Sequence, residues 1–286
     1  MSECARARPW ITDAISHLIA VGTSAGGARA KAVVALNPET GELRSGQVLA
    51  DPGFEQWLLK LDGVGADPDL GAPGYFGRIE YGYHLMAKSA GISMTECRLL
   101  EEGQRAHFMT RRFDRTPDAG KVHVQTLCAM AHLDFRQIGA HDYAQLFLHV
   151  EQLGLGPEAR AEAFRRMVFN VAAANCDDHT KNFSFLLPKG GRWQLSPAYD
   201  ITHAHAPESK WTRQHLMAVN GRTTGITRAD VREVGDRFSV PSASGIVEDV
   251  LEAVAKWPSF ADEAGIPKPT AEHVAHDIGA HSSLLR

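Results

Sequence analysis

The run Asn175-Cys176-Asp177-Asp178-His179-Thr180-Lys181-Asn182 constrains this chain more than any other stretch. It is densely polar, yet apolar segments flank it on both sides. Upstream, Pro157 to Ala174 reads as a helix: Pro157 takes a tolerated first position, and Phe164, Met167, Val168 and Val171 recur on one face. Downstream, Phe183 to Leu187, a turn at Pro188 to Gly191, and Trp193 to Leu195 read as a hairpin. Ser196-Pro197-Ala198-Tyr199-Asp200 follows at once. A loop so placed must hold its carboxylates and amides at the edge of a core, because burying them unpaired is costly.

The order of elements around that loop is uneven. The first third reads mostly as strands, His17 to Val21, Lys31 to Leu36 and, after the turn-rich stretch Asn37 to Gly53, Trp57 to Leu61 carrying Lys60. Between the first two lies the glycine-rich turn Gly22-Thr23-Ser24-Ala25-Gly26-Gly27. The spacing of Ile79, Tyr83, Met86 and Ala90 predicts a helix over Arg78 to Ala90, with Glu80 near its start and Gly91 placed to end it. Cys97 to Leu100 and His107 to Arg111 read as two more strands. After Phe113-Asp114-Arg115-Thr116-Pro117 the chain turns helical, with Tyr143 to Leu153, the helix before the polar run, a start at Thr227 with Asp230, Gly245 to Lys256 and Ala271 to Leu285. The tail beyond Asp200 reads as packing.

At 286 residues the chain is long enough for one large domain or two lobes. Its net charge of -4 argues against a dedicated nucleic-acid binder, which shows a basic stripe, so any contact with DNA is expected to run through a partner. Cys4, Cys97, Cys128 and Cys176 are scattered with no CxxC pair, which fits neither a disulfide framework nor a structural zinc site and suits a reducing cytoplasm. Neither an export signal nor an apolar run of roughly 20 residues is present, so no membrane association is expected.

Phosphoryl transfer asks for a proton acceptor near the nucleophile, oxygen ligands for Mg²⁺ and a cation on the phosphates. The catalytic loop of protein kinases spaces its Asp and its metal-binding Asn as D-x-x-x-x-N, and Asp177 and Asn182 have that spacing. The spacing alone is a weak signal. A helix leading in, a hairpin leading out and Asp200 just after it strengthen it, because that hairpin can return Asp200 toward Asn182. Lys181 could neutralise charge on the transferred group. His179 is expected to anchor the loop backbone, and Asp178 reads as a surface or supporting carboxylate and as the substitute base. Lys60, set among Leu58, Leu59 and Leu61, needs anions for its ammonium, which nucleotide phosphates and Glu80 could provide. The glycine-rich turn matches neither G-x-G-x-x-G nor the Walker pattern and by itself is only a flexible turn.

Through these residues the chain resembles the HipA-type serine/threonine kinases of bacterial toxin–antitoxin systems. The similarity runs from about Leu18 to Asp200. It is carried by Ser24 to Lys31, Leu59-Lys60, Arg112 to Arg115, Ala198-Tyr199-Asp200 and, most specifically, the N-x-D-x-H-x-K-N-F-S run from Asn175 to Ser184. The resemblance implies an α+β, protein-kinase-like two-lobed fold. Residues 1–112 would form a small β-rich N-lobe with one key helix, and residues 113–286 a larger, mostly α-helical C-lobe. It makes Asp177 the catalytic base, with Lys181 beside it, Asn182 and Asp200 the Mg²⁺ ligands, and Lys60 the phosphate-binding lysine. Thr110, Arg111, Arg112 and Phe113 become the adenine-contacting hinge, and Ser24, Gly26, Gly27, Glu80 and His179 complete the ATP-binding set.

In that family a serine of the glycine-rich loop can be autophosphorylated; Ser24 is the matching position, with Thr23 beside it. Members phosphorylate translation components, notably aminoacyl-tRNA synthetases, and are restrained by a helix-turn-helix antitoxin that binds DNA. The usual small N-terminal subdomain has no room before His17, so the expectation is either a short or split form whose missing piece is a separate chain, or a truncated one. Arg29 and Ala30 also depart from the usual loop residues. Three other readings compete: a small-molecule kinase of aminoglycoside or choline type, a catalytically silent kinase-fold binding module, and a metal site at His203 and His205. Alternate histidines of that kind are more often solvated or bonded to backbone.

Overall fold

The computed structural model describes residues 30–47, 51–63, 74–116 and 120–286. The expected strand His17 to Val21 and the glycine-rich turn, with Ser24, Gly26 and Gly27, lie outside the described residues. Packing divides the chain into two compact units, residues up to 81 with 95–121, and residues 82–94 with 122–286.

In the first unit, β1 (Lys31–Leu36), β2 (Leu43–Ser45), β3 (Glu55–Lys60), β4 (Cys97–Glu102) and β5 (Arg105–Arg111) form an antiparallel sheet in the order β2-β1-β3-β5-β4. Ala32, Val34 and Leu36 alternate along β1 and pack with Trp57, Leu59, Leu61 and Met109 into one core. Alternation places Lys60 on the other face, opposite Lys31 and Phe108 in the ladder. β2 corrects the turn-rich reading of Asn37 to Gly53. The three-residue Leu-Arg-Ser segment has no period of its own and is a strand because β1 pairs with it.

Helix α1 (Phe76–Ser89) begins where Asp62 accepts the Phe76 N–H at 3.1 Å. Gly77 is required there, because a Cβ would lie 2.0 Å from the Ala106 carbonyl oxygen. Gly91, at φ +82°, ends the helix while Ile92 N bonds back to Ala87 O at 3.0 Å.

The second unit is mostly helical. α3 (Tyr143–Gln152) starts on a capping box between Asp142 and Gln145, and α5 (Arg228–Arg237) on one between Thr227 and Asp230. α4 (Pro157–Ala172) buries Phe164, Met167, Val168 and Phe169 and packs against α6 (Ala243–Ala255). α7 (Trp257–Glu263) carries the buried Trp257, whose Nε1 donates to Ala271 O in α8 (Lys268–Ser282) at 3.0 Å. Tyr83 stands edge-on to Trp257 and donates its hydroxyl to Ala173 O at 2.6 Å, satisfying a carbonyl at the end of α4.

The expected hairpin is present as β8 (Ser184–Leu187) and β9 (Gln194–Leu195). β6 (His123–Thr126), leading into the one-turn α2 (Leu127–Met130), adds a third strand that the sequence did not announce. β7 (His141–Asp142) and β10 (Met217–Ala218) pair in parallel. Among the described residues no helix is long and apolar enough to cross a membrane.

Candidate active site

The polar run begins with a forced turn. Ala174 takes φ +52°, a left-handed conformation costing a non-glycine residue about 1–2 kcal/mol, and α4 stops at Ala172 rather than Ala174. Backbone bonds hold the turn: Ala204 N donates to Ala174 O at 3.2 Å, and Cys176 N to Ala204 O at 3.0 Å.

Side chains then divide between inside and outside. Asn175 Nδ2 donates to Asn170 Oδ1, Asn170 Nδ2 to the Tyr143 hydroxyl, and that hydroxyl to Asp178 Oδ2, each at 2.9 Å. His215 Nδ1 reaches the same oxygen at 2.9 Å, and Leu216 N and Met217 N donate to Oδ1 at 2.8 and 3.4 Å. Asp178 is therefore 0% exposed with both oxygens engaged, which overturns the reading of it as a surface carboxylate or substitute base. Burial, then the Asp178 carboxylate, pushes the Tyr143 phenol well above its ordinary pKa and keeps it a donor. Burial works against charge on His215, but Asp178 and Cys176 outweigh it and push its pKa up to about 10.

Asp177 points the other way. Its side chain is 48% exposed, with Oδ1 3.9 Å from His179 Nε2. Asn182 closes the 3-10 turn Thr180–Asn182 and donates Nδ2 to Asp177 O at 2.8 Å, which fixes its Oδ1 as the acceptor left for other partners. Asn182 and Asp200 line one recess together with Asn175 and Arg166, and Asn175 Oδ1 is buried there with no hydrogen-bond partner among the described residues. Asp200 adopts φ +58°. It is held by its neighbours: Ala198 N donates to Ser93 O at 2.8 Å, and buried Arg166 donates Nη2 to Ser196 O at 2.8 Å. The Tyr199 hydroxyl, pushed up to about 12 mainly by burial, donates to Lys181 O at 2.6 Å and bonds Ser184 Oγ.

Lys181 is exposed, its Nζ 3.7 Å from the centre of the Phe135 ring. His179 packs edge-on against the same ring. Its Nδ1 is buried with no hydrogen-bond partner among the described residues, so its imidazole does not make the expected backbone anchor through that atom. His203 and His205, read as loop histidines solvated or bonded to backbone, instead face the Asp277 carboxylate. His203 Nε2 is 2.9 Å from Oδ2; His205 Nδ1 lies 3.2 Å from it, within ion-pair distance but outside hydrogen-bond geometry.

In the first unit, Lys60 and Glu80 are 8% and 3% exposed and form an ion pair, with the ammonium 5.7 Å from the Phe108 ring centre. Of the residues expected to form the hinge, Thr110 Oγ1 meets Thr95 Oγ1 at 3.2 Å, Arg111 pairs with Glu55, and Arg112 N donates to Gln56 O at 2.9 Å. Phe113 follows them. Arg111 and Arg112 border a cavity of about 770 Å³ that also touches Glu55, Gln56 and Arg115. None of Asp177, Asn182 or Asp200 lines that cavity.

Sequence reasoning missed Tyr143, Asn170 and His215 as supports of the loop. Asn170 had a signal, as an amide among the apolar residues of α4. His215 had none.

A solved HipA from Shewanella oneidensis MR-1, in complex with HipB and its operator DNA, superposes with a TM-score of 0.67 at 16% identity, over 92% of this chain and 64% of its own. The Helicobacter pylori proinflammatory kinase CtkA superposes with a TM-score of 0.52 at 12% identity, over 80% of this chain and 87% of its own. Together they show a kinase-like fold. Two curated relatives carry the name "Putative kinase". One, Y4dM of Sinorhizobium fredii, is 36% identical over 61% of this chain and 42% of its own length; the other, from Haemophilus influenzae, is 28% identical over 43% and 39%. The matched stretch thus spans about two fifths of either relative. The family model described as HipA-like C-terminal domain matches residues 23–282, nearly the whole chain, and the protein belongs to that family.

Proposed function

We propose that this chain is an ATP- and Mg²⁺-dependent protein kinase acting on serine or threonine hydroxyls. The observation that carries the reading is the paired presentation of Asn182 and Asp200. The Asn182 amide is tied through Nδ2 so that its oxygen remains available, and Asp200 is held at an unusual φ beside the same recess. Oxygen donors of this kind, one carboxylate and one amide with the buried Asn175 oxygen nearby, suit a hard cation that keeps several waters.

The metal–nucleotide complex supplies the phosphoryl group and neutralises its charge. Half-exposed Asp177 takes the proton of the substrate hydroxyl at a carboxylate oxygen, while its backbone is fixed by Asn182. Lys60, oriented by Glu80, holds phosphate oxygens, and Lys181 adds a second cation. Thr110 to Phe113 serve as the adenine hinge. Ser24, Gly26, Gly27 and His179 complete the nucleotide contacts, and Ser24 is the self-modification site. Residues 1–112 and 113–286 act as the two lobes. The family and the HipB-bound neighbour support a helix-turn-helix antitoxin as partner, with DNA met only through it. A translation component such as an aminoacyl-tRNA synthetase is the proposed substrate, and the cytoplasm the proposed location.

Incubation with γ-labelled ATP and Mg²⁺, followed by separation of protein from low-mass species, tests this. Label is expected in the chain itself and in protein bands of an extract. Asp177→Asn should lower transfer by about 10²–10⁴-fold, the usual worth of a positioned base. Label confined to low-mass species would make the protein a small-molecule kinase, and equal transfer by wild type and Asp177→Asn would remove the catalytic assignment.

A further inference from the structure

The second unit holds a sulfur and nitrogen cluster that phosphoryl transfer does not use. Cys176 from the polar run, His215 and His281 of α8 bring three potential ligand atoms within 4.8 Å of one another. The Cys176 sulfur lies 3.9 Å from His215 Nε2. Each imidazole is already oriented from behind. His215 Nδ1 bonds Asp178 Oδ2 at 2.9 Å, and His281 Nδ1 bonds Asp277 O at 2.9 Å. With Nδ1 donating in both rings, Nε2 is the nitrogen each ring can offer a metal, in His215 once its Nε2 proton has left. This is the support that metal-ligating histidines use, the other ring nitrogen tied to a carboxylate or a backbone carbonyl. Cys176 and His215 are buried and His281 half-buried, and all three border a recess of about 260 Å³.

We infer that Cys176, His215 and His281 form a binding site for a thiophilic divalent metal of the zinc class, separate from the Mg²⁺ chemistry of the kinase reading. A thiolate with two imidazoles selects zinc-like ions, whereas magnesium takes oxygen ligands. Tetrahedral zinc with its usual bond lengths places neighbouring ligand atoms about 3.4–3.6 Å apart, so closure from the present separations requires shifts of about 1 Å or less. Charge also balances: a dication meets the Cys176 thiolate and, behind His215, the Asp178 carboxylate. Three protein ligands leave a fourth position for water or a ligand entering through the recess. Binding sends the Cys176 thiol proton, and the Nε2 proton of a charged His215, to solvent. The metal would tie the residue preceding Asp177 to α8.

The full chain, stripped with chelator, is titrated with Zn²⁺ and with Co²⁺ in the absence of nucleotide, so the outcome is independent of the kinase reading. One equivalent of Zn²⁺ is expected to bind and raise the unfolding temperature, which Mg²⁺ at the same concentration does not do. Co²⁺ should give a thiolate-to-cobalt charge-transfer band. Cys176→Ser should abolish that band, and His281→Ala should weaken Zn²⁺ binding more than about 100-fold, beyond the cost of losing a mere supporting group. Absence of a band in the wild type, or its persistence in Cys176→Ser, overturns the inference. If Cys176→Ser does not fold, the partly exposed His281 decides, and unchanged affinity in His281→Ala overturns it equally.

Discussion

Replacing Asp178 by asparagine isolates what holds the polar run in place. The carboxylate is fully buried and accepts from the Tyr143 hydroxyl, His215 Nδ1, Leu216 N and Met217 N. An asparagine of the same shape keeps an oxygen for the two backbone groups but turns an NH₂ toward Tyr143 and His215, both donors. Two charge-assisted hydrogen bonds are lost, each contributing about 1.5–3 kcal/mol. Removing one member of a buried charged pair costs about 3–5 kcal/mol by a separate reckoning, and the two figures agree. Urea unfolding followed by circular dichroism, with chelator present, should therefore show Asp178→Asn destabilised by about 3–5 kcal/mol at an unchanged m-value. His215→Gln and the double variant complete a cycle in which the losses fall short of additivity by about 1–3 kcal/mol. A loss below about 1 kcal/mol for Asp178→Asn, or strict additivity, would refute the buried pair.

Two further outcomes follow from local geometry. Asp200 sits at φ +58°, so Asp200→Gly and Asp200→Ala should both abolish phosphoryl transfer, yet the glycine variant should be the more stable by about 1 kcal/mol in denaturant unfolding; equal stability would mean the backbone relaxes. Asp114 lies half-buried between Arg112 and Arg115. Burial opposes its charge, but the two guanidiniums outweigh burial and lower its pKa, so the carboxylate resists acid. Its stabilisation is then present above the ordinary carboxylate pKa of about 3.9 and lost as pH falls through the lower folded value. The stability gap between wild type and Asp114→Asn should be constant near pH ~6 and close on acidification, as followed by urea midpoints; a gap that does not change with pH would sink this.

The strands of the first unit and the long helices were legible because burial there follows a simple period. Ala32, Val34 and Leu36 alternate, Phe164, Met167, Val168 and Val171 recur on one helix face, and Thr227 with Asp230 is a start signal readable from spacing alone. Leu43–Ser45 and His123–Thr126 were not, since each is a strand only by virtue of the partner it pairs with. The adjacent carboxylates Asp177 and Asp178 carry the same chemistry in sequence. What separates them is the arrival of His215 and Leu216 from far along the chain. For the same reason scattered cysteines gave no metal signal: Cys176 meets His215 and His281 only in the folded chain, and the supposed packing tail supplies both of them.

The strain at positions 174 and 200 bears on why so much of this loop is buried. Two non-glycine residues at positive φ cost about 1–3 kcal/mol each, and neither conformation persists unless its surroundings over-determine it. The buried chain of bonds from Asn175 through Asn170, Tyr143 and Asp178 to His215 over-determines the first, and Arg166 with the Tyr199 hydroxyl brackets the second. Each such bond contributes about 0.5–1.5 kcal/mol net when neutral and more when a charge takes part, enough together to exceed the strain. The inward-facing residues thus bear the energetic cost of presenting Asp177, Asn182 and Asp200 outward. Loosening an inward residue should disturb the outward three without touching them, which a neutral, well-solvated loop of the same length could not do.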